Sequence, residues 1–371
     1  MIIDIEMKSC YEIILRILAV ISVSGVSVME IDACTGISLS AKDGSRVIAR
    51  TAEWTKDPLQ CGYVVSPRGY VHRYCSDSGD NGLDFKSIYG YVGIFAEEES
   101  FVVEGVNEAG LSVGLFFIPD SVQSVPYGEI HYSNITICDM QLVSWILSQF
   151  SSIEQVQDVM SKIDVVPVYS NIGSLHWRIS EPDGRMVVLE YNNGIPCFYE
   201  NDLGVLTGSP DFQWHILNLD NYVNLKTGNV PDHLIAEGVE LKSVSGGSGM
   251  TGLPGDFTTP SRFVRAAFLQ TSSPVRDNGI ETVIQAFHIL NNFDMPVGIL
   301  TSADDMDVSL PSATQFTSAI DLASLKFYYR TAWNSNIRCI DLMSIDFSKV
   351  RYQCHPLDRK RAQPIEVLKV K

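Results

Sequence analysis

The chain has 371 residues, 45% of them apolar and 19% charged, which supports a large packed core and argues against disorder. Its net charge of −17 argues against a nucleic-acid partner, which needs a basic surface. The 8 cysteines contain no C-x-x-C pair and none stands at zinc spacing from a histidine, and the 7 histidines form no H-E-x-x-H pair, so no metal site is expected.

Residues 1–33 read as a leader. Ile13 through Val28 are apolar apart from Arg16 and scattered Ser and Gly, too short and interrupted for a membrane span and suited to a secretory h-region. Asp4 and Glu6 precede Lys8, an unusual start that becomes ordinary if translation begins at Met7. Export to the periplasm or the exterior follows as an expectation, with the leader removed and no stable membrane span left. Cleavage after Ala33 makes Cys34 the first residue, with a thiol and a free α-amine on one residue. An α-amine with a pKa near ~8 is partly neutral at pH 7 and accepts the thiol proton, so a single residue serves as nucleophile and base. A buried structural cysteine and a lipoprotein cysteine are the plainer readings. Lipidation is disfavoured because Asp32 stands where a lipobox takes a small residue.

Beyond Cys34, Thr35 to Leu39 and Arg46 to Arg50 flank Asp43-Gly44, a hairpin pattern. Phe101 to Glu104 and Leu111 to Phe117 flank a second turn, Asn107-Glu108-Ala109-Gly110. Leu142, Val143, Trp145, Ile146 and Leu147 form a helical stripe, and Ser151-Ser152-Ile153-Glu154 offers a capping box for a second helix through Met160. Leu175 to Ser180 and Arg185 to Tyr191 return to β through Pro182-Asp183-Gly184, and helices resume at Ser261 to Leu269 and Gly279 to Leu290. Thr314 to Asp321, Leu325 to Arg330 and Arg338 to Leu342 close in β. Strands and helices alternating in blocks predict an α+β fold with antiparallel sheets covered by helices. One domain over 34–350 is the simplest division, with 351–371, including Arg359-Lys360-Arg361, as a basic solvated tail. Gly247-Ser248-Gly249-Met250-Thr251-Gly252 fits a dinucleotide fingerprint by letters, but Leu253-Pro254-Gly255 follows where a helix is required, so it reads as a loop.

Taken together, several stretches resemble the choloylglycine hydrolase and penicillin V acylase family of N-terminal-nucleophile amidases. They are Cys34-Thr35-Gly36, Ala49 to Trp54, Glu104 to Leu111, Leu175-His176-Trp177, Gly204 to Pro210, Gly252 to Phe257, Ser261 to Arg265 and Phe287 to Asn292. The resemblance implies a four-layer αββα sandwich, a homotetramer, and hydrolysis of linear amides without metal or organic cofactor. The substrate it implies is a small-molecule N-acyl amide, with conjugated bile salts first and penicillin V or N-acyl homoserine lactones as alternatives. Carried over residue by residue, Cys34 is the nucleophile and Arg50 the cation that lowers the thiol pKa. Glu53 stands where the family commonly has aspartate, holding the new amine, and Arg262 is a second arginine lining the site. The backbone N–H of Phe116 is one oxyanion donor. Gly208 occupies the place of the family's oxyanion-hole asparagine, a departure that leaves open a slow enzyme or a ligand-binding relative without catalysis.

Overall fold

The structure, a computed structural model, describes residues 34–54, 59–73, 82–118, 135–168, 174–192, 194–299 and 313–370. The leader, whose cleavage site was read after Ala33, lies outside them. The principal strands in the first half are β1 (Thr35–Ser40), β2 (Arg46–Trp54), β3 (Cys61–Ser66), β4 (Tyr91–Ala96), β5 (Val102–Asn107) and β6 (Ser112–Ile118). They continue with β7 (Ser174–Ser180), β8 (Met186–Asn192), β9 (Ile195–Glu200), β10 (Ala313–Asp321), β11 (Lys326–Thr331), β12 (Asn334–Asp341) and β13 (Gln353–Pro356). The α-helices are α1 (Leu142–Gln149), α2 (Ile153–Met160), α3 (Phe212–Asn218), α4 (Thr259–Ser272) and α5 (Gly279–Leu290).

The strands form a five-stranded sheet, β1-β2-β10-β11-β12, and an eight-stranded sheet, β9-β8-β7-β6-β5-β4-β3-β13. Every pairing within both is antiparallel. Helices α4 and α5 cover the outer face of the five-stranded sheet, and α1 covers β5 and β6 of the other. Side chains of β2 reach carbonyls of β5 and β6, so the two sheets pack face to face. This is the αββα sandwich of the N-terminal-nucleophile hydrolases, and the described residues, from Cys34 onward, belong to one compact unit. Strands covered on both sides bury both faces, which is why β5 and β6 are buried along their whole length.

Local chemistry sets the turns. Asp43 Oδ1 accepts the Ser45 N–H at 2.9 Å, and Gly44 takes φ 91°, which closes the β1–β2 hairpin. In the β5–β6 turn, Asn107 Oδ1 accepts from Ala109 and Leu111, while its amide donates to the Leu147 and Phe150 carbonyls at 2.9 and 2.7 Å. One buried asparagine therefore shapes the hairpin and clamps α1 against it. Helix α2 is capped by Ser152, which accepts from the Gln155 N–H, while Gln155 reaches back to Ser151. The cap thus lies one residue later than the predicted Ser151–Glu154 box.

The tail expected from residue 351 begins later. Gln353–Pro356 is the edge strand of the eight-stranded sheet, Leu357 is buried, and Arg338 donates to the Leu357 carbonyl at 2.9 Å. Exposure becomes continuous only from Arg359 to Val370. Among the described residues no helix is long and apolar enough to cross a membrane.

Candidate active site

β1 begins at the site and β2 supplies its floor. Thr35 pairs with Thr51 in the ladder, which brings Cys34 beside the Arg50–Glu53 end of β2. Gly36 exchanges backbone hydrogen bonds with Leu206 at 2.7 and 3.1 Å, fixing the 204–208 segment alongside β1. From the outer layer, α4 delivers Arg262. Four residues predicted for the site, Cys34, Arg50, Glu53 and Arg262, therefore meet in one buried cluster; Cys34 is 4% exposed.

The Arg50 guanidinium lies close enough to Cys34 to favour its thiolate form. Its Nη1 also enters the gap where the β5–β6 ladder ends at Glu104–Gly114, donating to the Val103 and Leu115 carbonyls at 3.1 and 2.6 Å. Arg262 Nη1 donates to Thr35 Oγ1 at 3.0 Å and to Glu53 Oε2 at 3.3 Å, and its Nε is anchored on the Phe257 carbonyl. Thr314 Oγ1 donates to the other Glu53 oxygen at 3.3 Å. Arg262 thus joins Thr35, the neighbour of Cys34, to the Glu53 carboxylate.

Burial pushes the Cys34 thiol up from its ordinary value; Arg50 and Arg262 pull it down, and Glu53 pushes it up. Arg50 acts in the expected direction, and the net displacement is upward all the same. Desolvation of a fully buried thiol outweighs the cations, so the resting side chain is a thiol that needs a base.

Burial also raises Glu53 from 4.5 to about 7, with Arg262 opposing the rise. The folded state then holds this proton more tightly than the unfolded chain. Glu53 therefore contributes a stability that is greatest below about pH 4.5, falls as pH rises to about 7 and levels off above that, while His72 and His215, both lowered to about 4 by burial, contribute in the opposite direction. The difference in urea stability between the wild type and Glu53→Gln should follow the Glu53 slope across that range. A difference that stays flat would remove Glu53 as its source.

Phe116 is buried with its ring under the Arg50 guanidinium, 4.2 Å from the centroid. Because the Leu115 carbonyl accepts from Arg50, the Phe116 N–H of that trans peptide points the other way, toward His176, its register partner on β7. At Gly208 the carbonyl accepts from His215 Nε2 at 2.8 Å. Burial lowers the His215 pKa to about 4, so this histidine is neutral near pH 7. Thr207 Oγ1 donates to the Thr259 carbonyl at 3.1 Å, and Thr259 Oγ1 donates to the Ser209 carbonyl, which ties the segment to the start of α4.

The sequence reading missed Glu104 and Arg178. Glu104 is buried between two arginines, 2.6 Å from Arg178 Nη2 and 3.4 Å from Arg50 Nη1. The signal was present in β7, where His176 and Arg178 alternate with Leu175, Trp177 and Ile179. A charged residue at alternate positions of a strand covered on both sides points into the interior rather than to water. Among the described residues no group of three metal-ligating side chains comes together, and Cys34, Cys61, Cys197, Cys339 and Cys354 are free thiols.

Residues 34–355 match the linear amide C–N hydrolases, choloylglycine hydrolase family. The chain is 32% identical over 314 residues to a bile salt hydrolase/transferase of Clostridium perfringens, covering 83% of this chain and 92% of that protein. A crystal structure of a conjugated bile acid hydrolase variant from the same organism superposes with a TM-score of 0.77 at 28% identity, over 91% of this chain and 100% of that one. The fold is shared also with penicillin V acylase of Agrobacterium tumefaciens, TM-score 0.68 at 22% identity, over 86% and 90% of the two chains. With the Cys34, Arg50, Glu53 and Arg262 cluster in place on that fold, the chain belongs to the choloylglycine hydrolase family of linear amide hydrolases.

Proposed function

We propose that this protein hydrolyses a linear N-acyl amide through Cys34, with conjugated bile salts as the first substrate class. The observation that carries this is the placement of Arg50 beside Cys34, in a buried cluster where Glu53 and Arg262 complete the surroundings. Removal of the leader after Ala33, during export, frees the Cys34 amine. That amine takes the thiol proton, and the thiolate attacks the amide carbon to form the S–C bond. The same group protonates the departing nitrogen as the C–N bond breaks, leaving a thioester. Water, deprotonated by the amine, then attacks the thioester, releases the carboxylic acid and restores the thiol. Glu53, ionised, holds the ammonium form. Assembly as a homotetramer belongs to the same reading.

The acyl group and the amine are distinguished by experiment: glycocholate, taurocholate, penicillin V and a long-chain acyl homoserine lactone, each offered to protein whose intact mass shows an unmodified Cys34 at its start. Turnover of a bile conjugate above the other two supports the proposal, whereas preference for penicillin V or the lactone moves the protein to that branch of the family. No turnover of any substrate favours the second reading, a ligand-binding relative.

That second reading rests on the oxyanion. Gly208 has no side-chain donor, and the Phe116 N–H faces a neighbouring strand. One oxyanion donor is worth about 10²–10³ in kcat. Gly208 lacks the left-handed backbone found at Gly204 (φ 76°), so an asparagine there meets no backbone penalty. Gly208→Asn is expected to raise kcat by about 10²-fold with little change in KM. An unchanged kcat would show that another donor already does this work.

A further inference from the structure

The inter-sheet layer behind the nucleophile holds one more charged pair than the proposed reaction uses. Arg50, Arg178 and Arg262 face Glu53 and Glu104, and all five are buried. Glu104 is shared unequally: its Oε1 lies 2.6 Å from Arg178 Nη2, its Oε2 3.4 Å from Arg50 Nη1. The space for this is built in. A Cβ on Gly114 would stand 2.4 Å from Glu104 Oε2, and one on Gly36, two residues from Cys34, would stand 3.0 Å from Arg178 Nη1 and 2.8 Å from the Phe116 ring. Arg178 spends its remaining reach on the Ala49 carbonyl at 3.4 Å, and its Nε has no hydrogen-bond partner among the described residues. An arginine buried with an idle N–H is expensive, and it is held here by one short contact, to Glu104.

We propose that Arg178 is a positioning residue for the nucleophile: by drawing Glu104 to itself it keeps that carboxylate from neutralising Arg50, whose charge is thereby left for the Cys34 sulfur. Arg50 faces both Cys34 and Glu104 with one guanidinium, so the Glu104 carboxylate competes for it with the Cys34 thiolate once that forms. The closer Arg178 holds Glu104, the more of the Arg50 field reaches the sulfur. The charged groups that face Cys34 are Arg50 and Glu53 from β2 and Arg262 from α4; Glu104 and Arg178 act from the facing sheet.

This rests on Cys34 as the nucleophile, and its test needs no hydrolysis. Alkylation of Cys34 by iodoacetamide, read peptide by peptide by mass spectrometry across pH 6–10, reports its thiolate in the purified full chain. Arg178→Met is expected to slow alkylation near pH 7.5 by roughly tenfold and move the titration to higher pH, because Glu104 then turns wholly to Arg50. Glu104→Gln is expected to do the opposite, accelerating alkylation and moving the titration to lower pH. Arg178→Lys, which keeps the charge on Glu104, should restore most of the wild-type profile, and Arg178→Met with Glu104→Gln should fall between the single variants. Opposite signs are the decisive result. If Arg178 and Glu104 served only to hold the sheets together, both single variants would loosen the site and move alkylation the same way, and that outcome overturns the proposal. If Arg178→Met does not fold, Glu104→Gln alone decides it: slower or unchanged alkylation is fatal. An inactive wild type with this pattern intact would count against the amidase reading and leave the role of Arg178 standing.

Discussion

Cys34→Ser is expected to reduce amide turnover by at least about 10³-fold while leaving the fold in place, the scale on which removal of a nucleophile acts in enzymes of this kind. The substitution changes one atom in a site already closed around it: Cys34 is buried, Arg50 lies beside it, and the Glu53 N–H bonds its sulfur. A hydroxyl accepts that same hydrogen bond, so stability should be little altered. Its oxygen, however, must give up a proton far less acidic than a thiol's, in a site that already raises the cost of the anion by burial. The measurement is the hydrolysis rate of the preferred substrate, alongside intact mass after quenching: the wild type should show the thioester adduct, and the serine variant should not. Turnover within tenfold of wild type would exclude Cys34 as the nucleophile and return it to the structural reading, that of a small buried residue at the head of β1.

Most of the fold was legible because the chain marks its own boundaries. The β1–β2 turn at Asp43-Gly44, the β5–β6 turn at Asn107 to Gly110 and the helices at Ser261 and Gly279 each coincide with a local signal, a turn residue or an amphipathic run, and the structure uses them as such. Two kinds of element did not show. β3 and β4 lie in a region with weak punctuation, and β4 is buried on both faces, so its Tyr91–Ala96 run has no alternation to read. β13 hides in a stretch whose composition is that of a surface tail; its place at the sheet edge is decided by pairing with β3, a partner nearly 300 residues earlier. The site divides the same way. Cys34, Arg50, Glu53 and Arg262 sit in motifs that carry a resemblance. Glu104 lay within such a motif without an evident role, and Arg178 just outside one, because what gives them meaning is a contact between strands far apart in sequence. The balance of burial against charge at Cys34 was likewise beyond the sequence: the arginine was legible, but the depth of burial was not.

Arg50→Met carries the second large effect, and it should be visible in stability and chemistry together. Arg50 ties the two sheets together beside Cys34, with donations to the Val103 and Leu115 carbonyls, to Glu104 and to its own strand at Thr51. Methionine fills much of the volume but returns none of these bonds, leaving two buried carbonyls at an interrupted ladder and a carboxylate with one cation fewer. Removing one partner of a buried charged network typically costs about 3–5 kcal/mol. Urea unfolding of Arg50→Met is therefore expected to lose a stabilisation of about that size, with turnover down about 10²-fold or more because the thiolate loses its nearest cation. Arg50→Lys separates the two losses. An ammonium supplies the charge near Cys34 but cannot serve the Thr51 carbonyl from one nitrogen and the Val103 and Leu115 carbonyls from another, as Nε and Nη1 of Arg50 do, so it should recover more of the chemistry than of the stability. The outcome that would defeat this account is the reverse, a lysine variant as stable as wild type and yet as slow as methionine. Arg50 would then act through the geometry of its fork on the sulfur rather than through its charge, and the partition of Glu104 between two arginines would no longer matter to Cys34.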